Sequence, residues 1–291
     1  MKDILSSADL ILNDDGSIYH LALQPEELAG TILLVGDPKR VPRISRYFDT
    51  IEVKRQNREF VTHTGTMAGK WITVLSTGCG PDNIDIVMNE LDALVNIDLV
   101  KRTIKPKKSS LDIIRLGTSG GLQPDVPSGS LVLGTFGLGL DGTMGYYGGK
   151  EQVTDQALTE AFRKKTGWPE ELPRPYIVEA SPSLVRRLDH GVSKGITATA
   201  AGFYAPQGRI LRMGTAFPEM LDRIAAFEHH GLKVLNFEME TAALYGLGKL
   251  LGHQTASLCV ILANRVERTY SVNKTKDIDK LIEYALEWIT K

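Results

Sequence analysis

The sequence predicts a single-domain α/β protein with a central mixed, largely parallel twisted sheet flanked by helices. Three observations carry this prediction. Short apolar runs of strand length recur along the whole chain, and they alternate with segments of helical periodicity. Several of the runs, such as "LDIIRLG" and "TASLCVILANR", are apolar on successive residues, as buried strands are. No composition shift, repeat or low-complexity linker divides the 291 residues, so residues 1–291 read as one domain.

The elements follow in order. "TILLV" (31–35) is a strand, and "GDPKR" after it turns into a helix. "REFVTHTGTMAGKWITVLS" reads as two strands about a glycine-containing turn. After "TGCGPD", Ile84, Val87, Met88, Leu91, Leu94 and Val95 mark the apolar face of a helix. "KRTIKPKKSS" (101–110) has five basic residues and no acid, and reads as a solvated loop. "LDIIRLG" (111–117) and "GSLVLGTFGLGL" (129–140) are strands. Residues 141–175 read as surface loops with one short helix, and "SKGITATA" as another strand. "KVLNFE" is a strand running into the helix "METAALYGLGKLLG", with Gly252 near its end. "TASLCVILANR" is the last strand. Ile278, Leu281, Ile282, Ala285, Leu286 and Ile289 define a closing amphipathic helix.

Composition narrows the function classes. A net charge of −1 argues against a protein that coats nucleic acid or a membrane surface, so any anion site must be local. Cys79 and Cys259 show no metal-ligand spacing and read as buried free thiols of a reducing compartment. No run approaches the ~18 apolar residues of a membrane span, and the N-terminus carries acids where a secretion signal needs an apolar run. A cytoplasmic protein without a metal or organic cofactor is expected.

The residues that carry chemistry cluster at strand ends, where ligands bind in open α/β sheets. Gly36 lets backbone N–H groups approach a ligand, and Arg40 lies one turn further on. Arg115 ends an apolar strand and needs an anion or an acidic partner. "GTSGG" (117–121) offers the Thr118 hydroxyl in a nest-like turn. With Arg58 of "NREF", these arginines could form a phosphate clamp or could each pair with a structural carboxylate. In "NFEMETAAL" (236–244), Glu238 and Glu240 stand two apart at a strand-to-helix junction and cannot share one helix face. One suits the helix N-terminus and the other a ligand, a pair of sugar hydroxyls being the apt one. In "FYAPQGR" (203–209), an aromatic face, an amide and a guanidinium fork fall within seven residues, a set suited to a planar, acceptor-rich object or to an ordinary surface turn.

Taken together and in this order, "VGDPKR", "NREF", "STGCG", "IRLGTSGG", "FYAPQGR", "NFEMETAAL" and "ILANR" resemble the nucleoside phosphorylase-I superfamily from about His20 onwards. The "FYxxQxR" form resembles its uridine-cleaving branch. The resemblance implies reversible phosphorolysis of uridine to uracil and ribose 1-phosphate, with inorganic phosphate as co-substrate. It implies Gly36, Arg40, Arg58, Arg115 and Thr118 at phosphate. Gly120, Phe203, Gln207 and Arg209 are implied at the base, with Arg265 behind them, and Glu238, Met239 and Glu240 at ribose. Gln207, Arg209 and Arg115 are the implied catalytic groups. His20 matches a histidine that the family lends to a neighbouring subunit, so a homo-oligomer is implied, at least a dimer and in bacterial members a trimer of dimers. The N-terminal segment, residues 1–30, would then contribute to the subunit interface. The alternatives are another nucleoside phosphorylase or a nucleosidase of the same fold, and a non-catalytic nucleoside-binding protein. Purine-directed members tend to use an aspartate near the place that Asn264 holds here. Some members bind a monovalent cation through a glutamate matching Glu59, whose other ligands are not clearly matched, so no metal is expected. Cys79 stands where many members carry an aliphatic residue.

Overall fold

The computed structural model describes residues 4–291. Along the chain come β1 (Thr31–Val35), α1 (Arg40–Ser45), β2 (Thr50–Asn57), β3 (Phe60–Met67), β4 (Lys70–Ser76) and α2 (Pro81–Asn96). A small hairpin, β5 (Ile97–Asp98) and β6 (Thr103–Ile104), precedes β7 (Asp112–Gly121) and β8 (Leu131–Gly139). There follow α3 (Gln156–Thr166), β9 (Tyr176–Glu179), α4 (Pro182–Leu188), β10 (Ser193–Thr199), α5 (Met220–Ala225) and β11 (Glu228–His229). The chain ends with β12 (Leu232–Glu238), α6 (Thr241–Leu251), β13 (Gln254–Asn264), β14 (Thr269–Tyr270) and α7 (Lys274–Thr290).

All these strands but the β5–β6 hairpin join one twelve-stranded mixed sheet with the order β11-β12-β10-β8-β13-β7-β1-β4-β3-β2. β1 pairs in parallel with both β4 and β7, and β7 in parallel with β13. β10 runs parallel to β8 and β12, while β13 meets β8 antiparallel. β12 also returns to β7, with Asn236 opposite Gly121 and Phe237 opposite Gly120. Strands β7, β13, β8, β10 and β12 therefore close into a ring, and β1, β4, β3 and β2 extend from it as an open wing.

Helices cover both faces. On β1, Ile32 and Leu34 join one core layer with α2, α6 and the N-terminal segment, while Leu33 and Val35 join the other with α1, α4 and α7. That two-sided burial is why the run is apolar at every position. In α7 all six residues of the predicted stripe are buried, and Asn273 caps the helix by accepting the Lys276 N–H. Each of the isoleucine and leucine side chains contributes roughly 1.5–3 kcal/mol when fully buried. α6 is apolar on every side because it lies between α2 and the sheet, and it ends at Gly252 with φ +82°.

Three expectations are corrected. β2 was not foreseen: it is an edge strand, mostly exposed and polar, so it carries no apolar run. "GTSGG" is no nest-like turn; β7 continues through it to Gly121, held by β13 on one side and β12 on the other. Cys79 is exposed, on the loop between β4 and α2, whereas Cys259 is buried in β13. In the basic segment 101–110, Arg102 is partly buried and donates to the carbonyls of Leu5, Ser6 and Leu10, tying down the N-terminal segment.

Candidate active site

A cleft of about 300 Å³ lies where β1, β7, β12 and β13 end, with the 203–209 loop along one side. Its walls bring together Gly36, Arg40, Arg115, Thr118, Gly120, Phe203, Gln207, Arg209, Glu238, Met239 and Glu240. Eleven residues from four sequence segments thus meet in one place. A wider hollow of about 570 Å³ on the 141–175 segment brings no comparable set together: Lys150 and Arg174 in its walls are half-buried and exposed, and its Asp141 accepts from the Tyr176 hydroxyl.

The floor of the cleft is charged and buried. The Arg115 guanidinium lies 3.2 Å from a Glu238 carboxylate oxygen, bonds Glu240, and donates to the Cys259 Sγ at 3.3 Å. Burial opposes its charge, and the Glu240 and Glu238 carboxylates more than offset that, so its pKa is held above the usual guanidinium range. Gly117 makes this arrangement possible. A Cβ there would stand 1.8 Å from the Arg115 Nη1 and 2.9 Å from the Cys259 Sγ. Glycine at this point provides clearance for the side chain two residues before it on the same strand face.

The two glutamates divide as their chemistry requires. Glu238 has both oxygens engaged: Oε1 accepts from the Thr199 hydroxyl at 2.6 Å, and the backbone N–H groups of Glu240 and Thr241 donate at 3.0 Å. It is the carboxylate at the α6 N-terminus and an anchor of Arg115. Burial raises its pKa despite the Arg115 charge. Glu240 accepts the Gly80 N–H at 2.8 Å and bonds Arg115, and it lines the cleft.

Arg40 differs from Arg115. It too is buried, and its Nη1 donates to the Leu116 carbonyl at 2.9 Å, yet among the described residues it forms no ion pair. Burial and the neighbouring Arg115 lower its pKa. A buried cation without a carboxylate partner, lining a cleft beside Gly36 and Thr118, is a place for an anion.

The far wall is a short 3-10 turn, Ala205–Gln207, closed by Gly208 at φ +66°. Gln207 is buried, while Phe203 and Arg209 are more open. The Arg209 Nη1 donates to the Gln207 Oε1 and to the Phe203 carbonyl, each at 2.6 Å, and its guanidinium stacks 3.8 Å over the Phe203 ring. Burial, then the Arg265 charge, lower the Arg209 pKa to about 10. Arg265 lies outside the cleft walls and packs against Gly120, where an added Cβ would meet its side chain at 3.3 Å; its Nη1 is buried without a hydrogen-bond partner among the described residues. Asn264 is fully engaged with backbone, donating to the Gln123 and Val126 carbonyls and accepting from the Val266 and Glu267 N–H groups.

Besides Arg265, two of the expected residues are not in this cleft. Arg58 does not open a strand: it sits exposed in the turn between β2 and β3 with φ +52°, its guanidinium 5.7 Å from the Tyr19 ring centre. The His20 ring bonds Glu90 at 2.7 Å, beside a separate surface hollow. Arg58 and His20 form one unit, because Asn57 donates to the Tyr19 and His20 carbonyls. Conversely, the cleft contains residues that were not anticipated: Asp37, Cys79, Ser119, Phe237, Leu262, Ala263 and Tyr270. Asp37 and Ser119 fall inside motifs already singled out and could have been read from them. Leu262 and Ala263 reach the cleft across a register shift in β13 between Ile261 and Ala263, for which an apolar run carries no signal.

Comparison with known proteins identifies the family. The family model described as the phosphorylase superfamily matches residues 31–286. A uridine phosphorylase of Thermococcus kodakarensis is 31% identical over 294 aligned positions, covering 99% of this chain and 94% of that protein. A uridine phosphorylase of Treponema pallidum is 27% identical, with 92% of each chain covered. Among solved structures, a Trypanosoma brucei nucleoside phosphorylase described as showing uridine phosphorylase activity superposes with a TM-score of 0.85 at 31% identity, over 97% of this chain and 98% of that one. The chain belongs to the phosphorylase superfamily.

Proposed function

We propose that this chain catalyses the reversible phosphorolysis of uridine, giving uracil and ribose 1-phosphate. One observation carries the reading. A single cleft has a buried, carboxylate-free guanidinium, Arg40, at one end and the Gln207–Arg209 pair at the other, with Glu240 between them. The uridine phosphorylase names of the similar proteins point the same way.

In this reading phosphate sits by Arg40, Arg115, Thr118 and the backbone at Gly36. One of its oxygens attacks C1′, the C1′–N1 bond breaks, and the bonding electrons leave on uracil. No side chain acts as nucleophile; holding the phosphate beneath C1′ is a positioning effect. Glu240 accepts from the ribose hydroxyls, and Met239 packs beside them. The Arg209 bond to the Gln207 Oε1 orients the amide. Its nitrogen then donates to a uracil carbonyl, and the second lone pair of its oxygen accepts the ring N–H. The Arg209 guanidinium gains most as charge develops on the departing base, and Arg265 behind Gly120 adds to that field. Cytosine would present an amino donor to Arg209 and leave buried groups unpaired.

His20 and Arg58 belong to the same proposal. Both lie outside the cleft of their own chain and are tied together through Asn57, so in this reading they serve the site of a neighbouring subunit, in an assembly that is at least a dimer. Mixing inactive His20→Ala and Arg209→Ala subunits should restore partial activity, because one hybrid site keeps both residues. A cytoplasmic location and the absence of an organic cofactor remain part of this reading; among the described residues no helix is long and apolar enough to cross a membrane.

The deciding experiment incubates the purified protein with uridine and with inosine, each with and without phosphate. Cleavage of uridine that requires phosphate, with inosine much poorer, is expected. Equal cleavage of inosine, or uridine cleavage indifferent to phosphate, overturns the proposal in favour of a broader phosphorylase or a nucleosidase.

A further inference from the structure

Behind the 203–209 turn lies a second pocket of about 260 Å³, separate from the cleft but sharing Gln207 and Phe237 with it. We propose that it is a binding site for a small, flat, neutral aromatic molecule that bears one hydroxyl group. Size, surface and polarity each argue for this ligand class. Dry apolar cavities of about 150 Å³ already admit benzene, so this one has room for a substituted ring. Its walls include Trp168, Phe217, Met220 and Leu221, and among the described residues no charged side chain lines it. A charged ligand would lose its hydration there without compensation. One feature asks for a polar group: Thr215 lines the pocket, and its hydroxyl oxygen is buried without a hydrogen-bond partner among the described residues. Such a group is rare in folded proteins, and a ligand hydroxyl would satisfy it. A lone water fits less well, since it needs two to four polar partners and the walls are mostly hydrocarbon and aromatic.

An occupant would press on Gln207 from the side away from the cleft. On the reading of Gln207 as the residue that recognises the base, the second site would then alter uridine binding without overlapping it. This coupling rests on the proposed function; occupancy of the pocket does not.

The test uses 4-iodophenol and iodobenzene as probes on the intact protein, without phosphate or turnover. Iodine quenches indole fluorescence on contact, and Trp168 stands in the pocket wall. Saturable quenching by both probes is expected, and it should vanish in Trp168→Phe, which keeps Trp71 and Trp288. Thr215→Val should weaken 4-iodophenol roughly five- to tenfold, the effect of losing one neutral hydrogen bond, and leave iodobenzene within about twofold. Thr215→Ser, which retains the hydroxyl, should restore the difference. Thr215→Val should be at least as heat-stable as the parent, because it removes an unsatisfied buried hydroxyl. The proposal is overturned if neither probe quenches saturably, or if Thr215→Val weakens both probes equally. It is also overturned if saturating uridine abolishes quenching that is indifferent to Thr215→Val, which would put the probe in the cleft. If uridine proves not to be a substrate, the quenching result stands on its own.

Discussion

The two ends of the cleft are built differently. The floor rests on strand ends: Arg115 from β7, Glu238 from β12 and Cys259 from β13 are buried, interlocked side chains on neighbouring strands. The far wall rests on a one-turn loop, where Phe203 is 51% exposed and Arg209 leans on its own loop through the Phe203 carbonyl and ring. On the floor a side chain is both architecture and candidate chemistry, so stability and activity should fall together. On the wall the two should separate. Anion binding at one end suits a preformed, dry site, while entry and departure of a planar ring suit a loop with few long-range ties.

The largest effect should come from breaking the floor. Arg115→Ala leaves the Glu238 and Glu240 carboxylates buried beside each other without their cation, and should cost about 3–5 kcal/mol of folding free energy. Urea unfolding measures this, and phosphate binding should disappear with it. A variant as stable as the parent would show that the floor is not interlocked. On the wall, Arg209→Ala should lower kcat/KM for uridine about a hundredfold, mostly through kcat, a loss of roughly 3 kcal/mol in the transition state. Its thermal stability and its affinity for phosphate should stay near parental values. If its melting temperature falls as far as that of Arg115→Ala, the contrast between floor and wall is wrong.

A subtler probe is Gly117→Ala. The new methyl would displace the Arg115 guanidinium from its place against Cys259. The expected cost is about 1–3 kcal/mol of stability, with KM for phosphate raised more than KM for uridine. Steady-state titration of each substrate separates these. The smallest effect should be that of Cys79→Ser. Cys79 lines the cleft from an exposed loop, and its thiol takes part in no hydrogen bond among those described, so stability should stay within about 0.5 kcal/mol. A large loss of activity in this variant would add Cys79 to the machinery.

The same contrast governs what was legible in the sequence. Strands buried on both faces announce themselves by successive apolar residues, and α7 by its stripe, so the scaffold under the floor could be read directly. The "FYAPQGR" turn could be read because its residue types are unusual together. Two kinds of feature were hidden. "GTSGG" reads as a turn because glycine is the usual turn residue, yet Gly117, Gly120 and Gly121 all lie in the extended strand, without positive φ. Two of them make room for large neighbours, Gly117 for Arg115 and Gly120 for Arg265. Nothing in a linear pattern distinguishes glycine used for clearance from glycine used for turning. On the proposed reading, the second hidden feature is chain ownership. Arg58 and His20 sit in motifs as telling as the rest, but a cleft shared between subunits would be a property of the assembly. Glu238 and Glu240 fall between these cases: their spacing showed that they must part ways, and the fold shows which one went to the helix.

The ring of strands β7, β13, β8, β10 and β12 also bears on how molecules of this chain meet one another. A strand inside a closed ring has no unpaired backbone edge to offer another sheet, so the long exposed edge of the open wing falls to β2. That edge carries Glu52, Lys54, Arg55 and Gln56 in its eight residues, five of which are exposed. Charges placed along a lone edge discourage a second sheet from docking there. The segment with the weakest strand signature is thus the one whose polarity guards the protein against fibrous self-association.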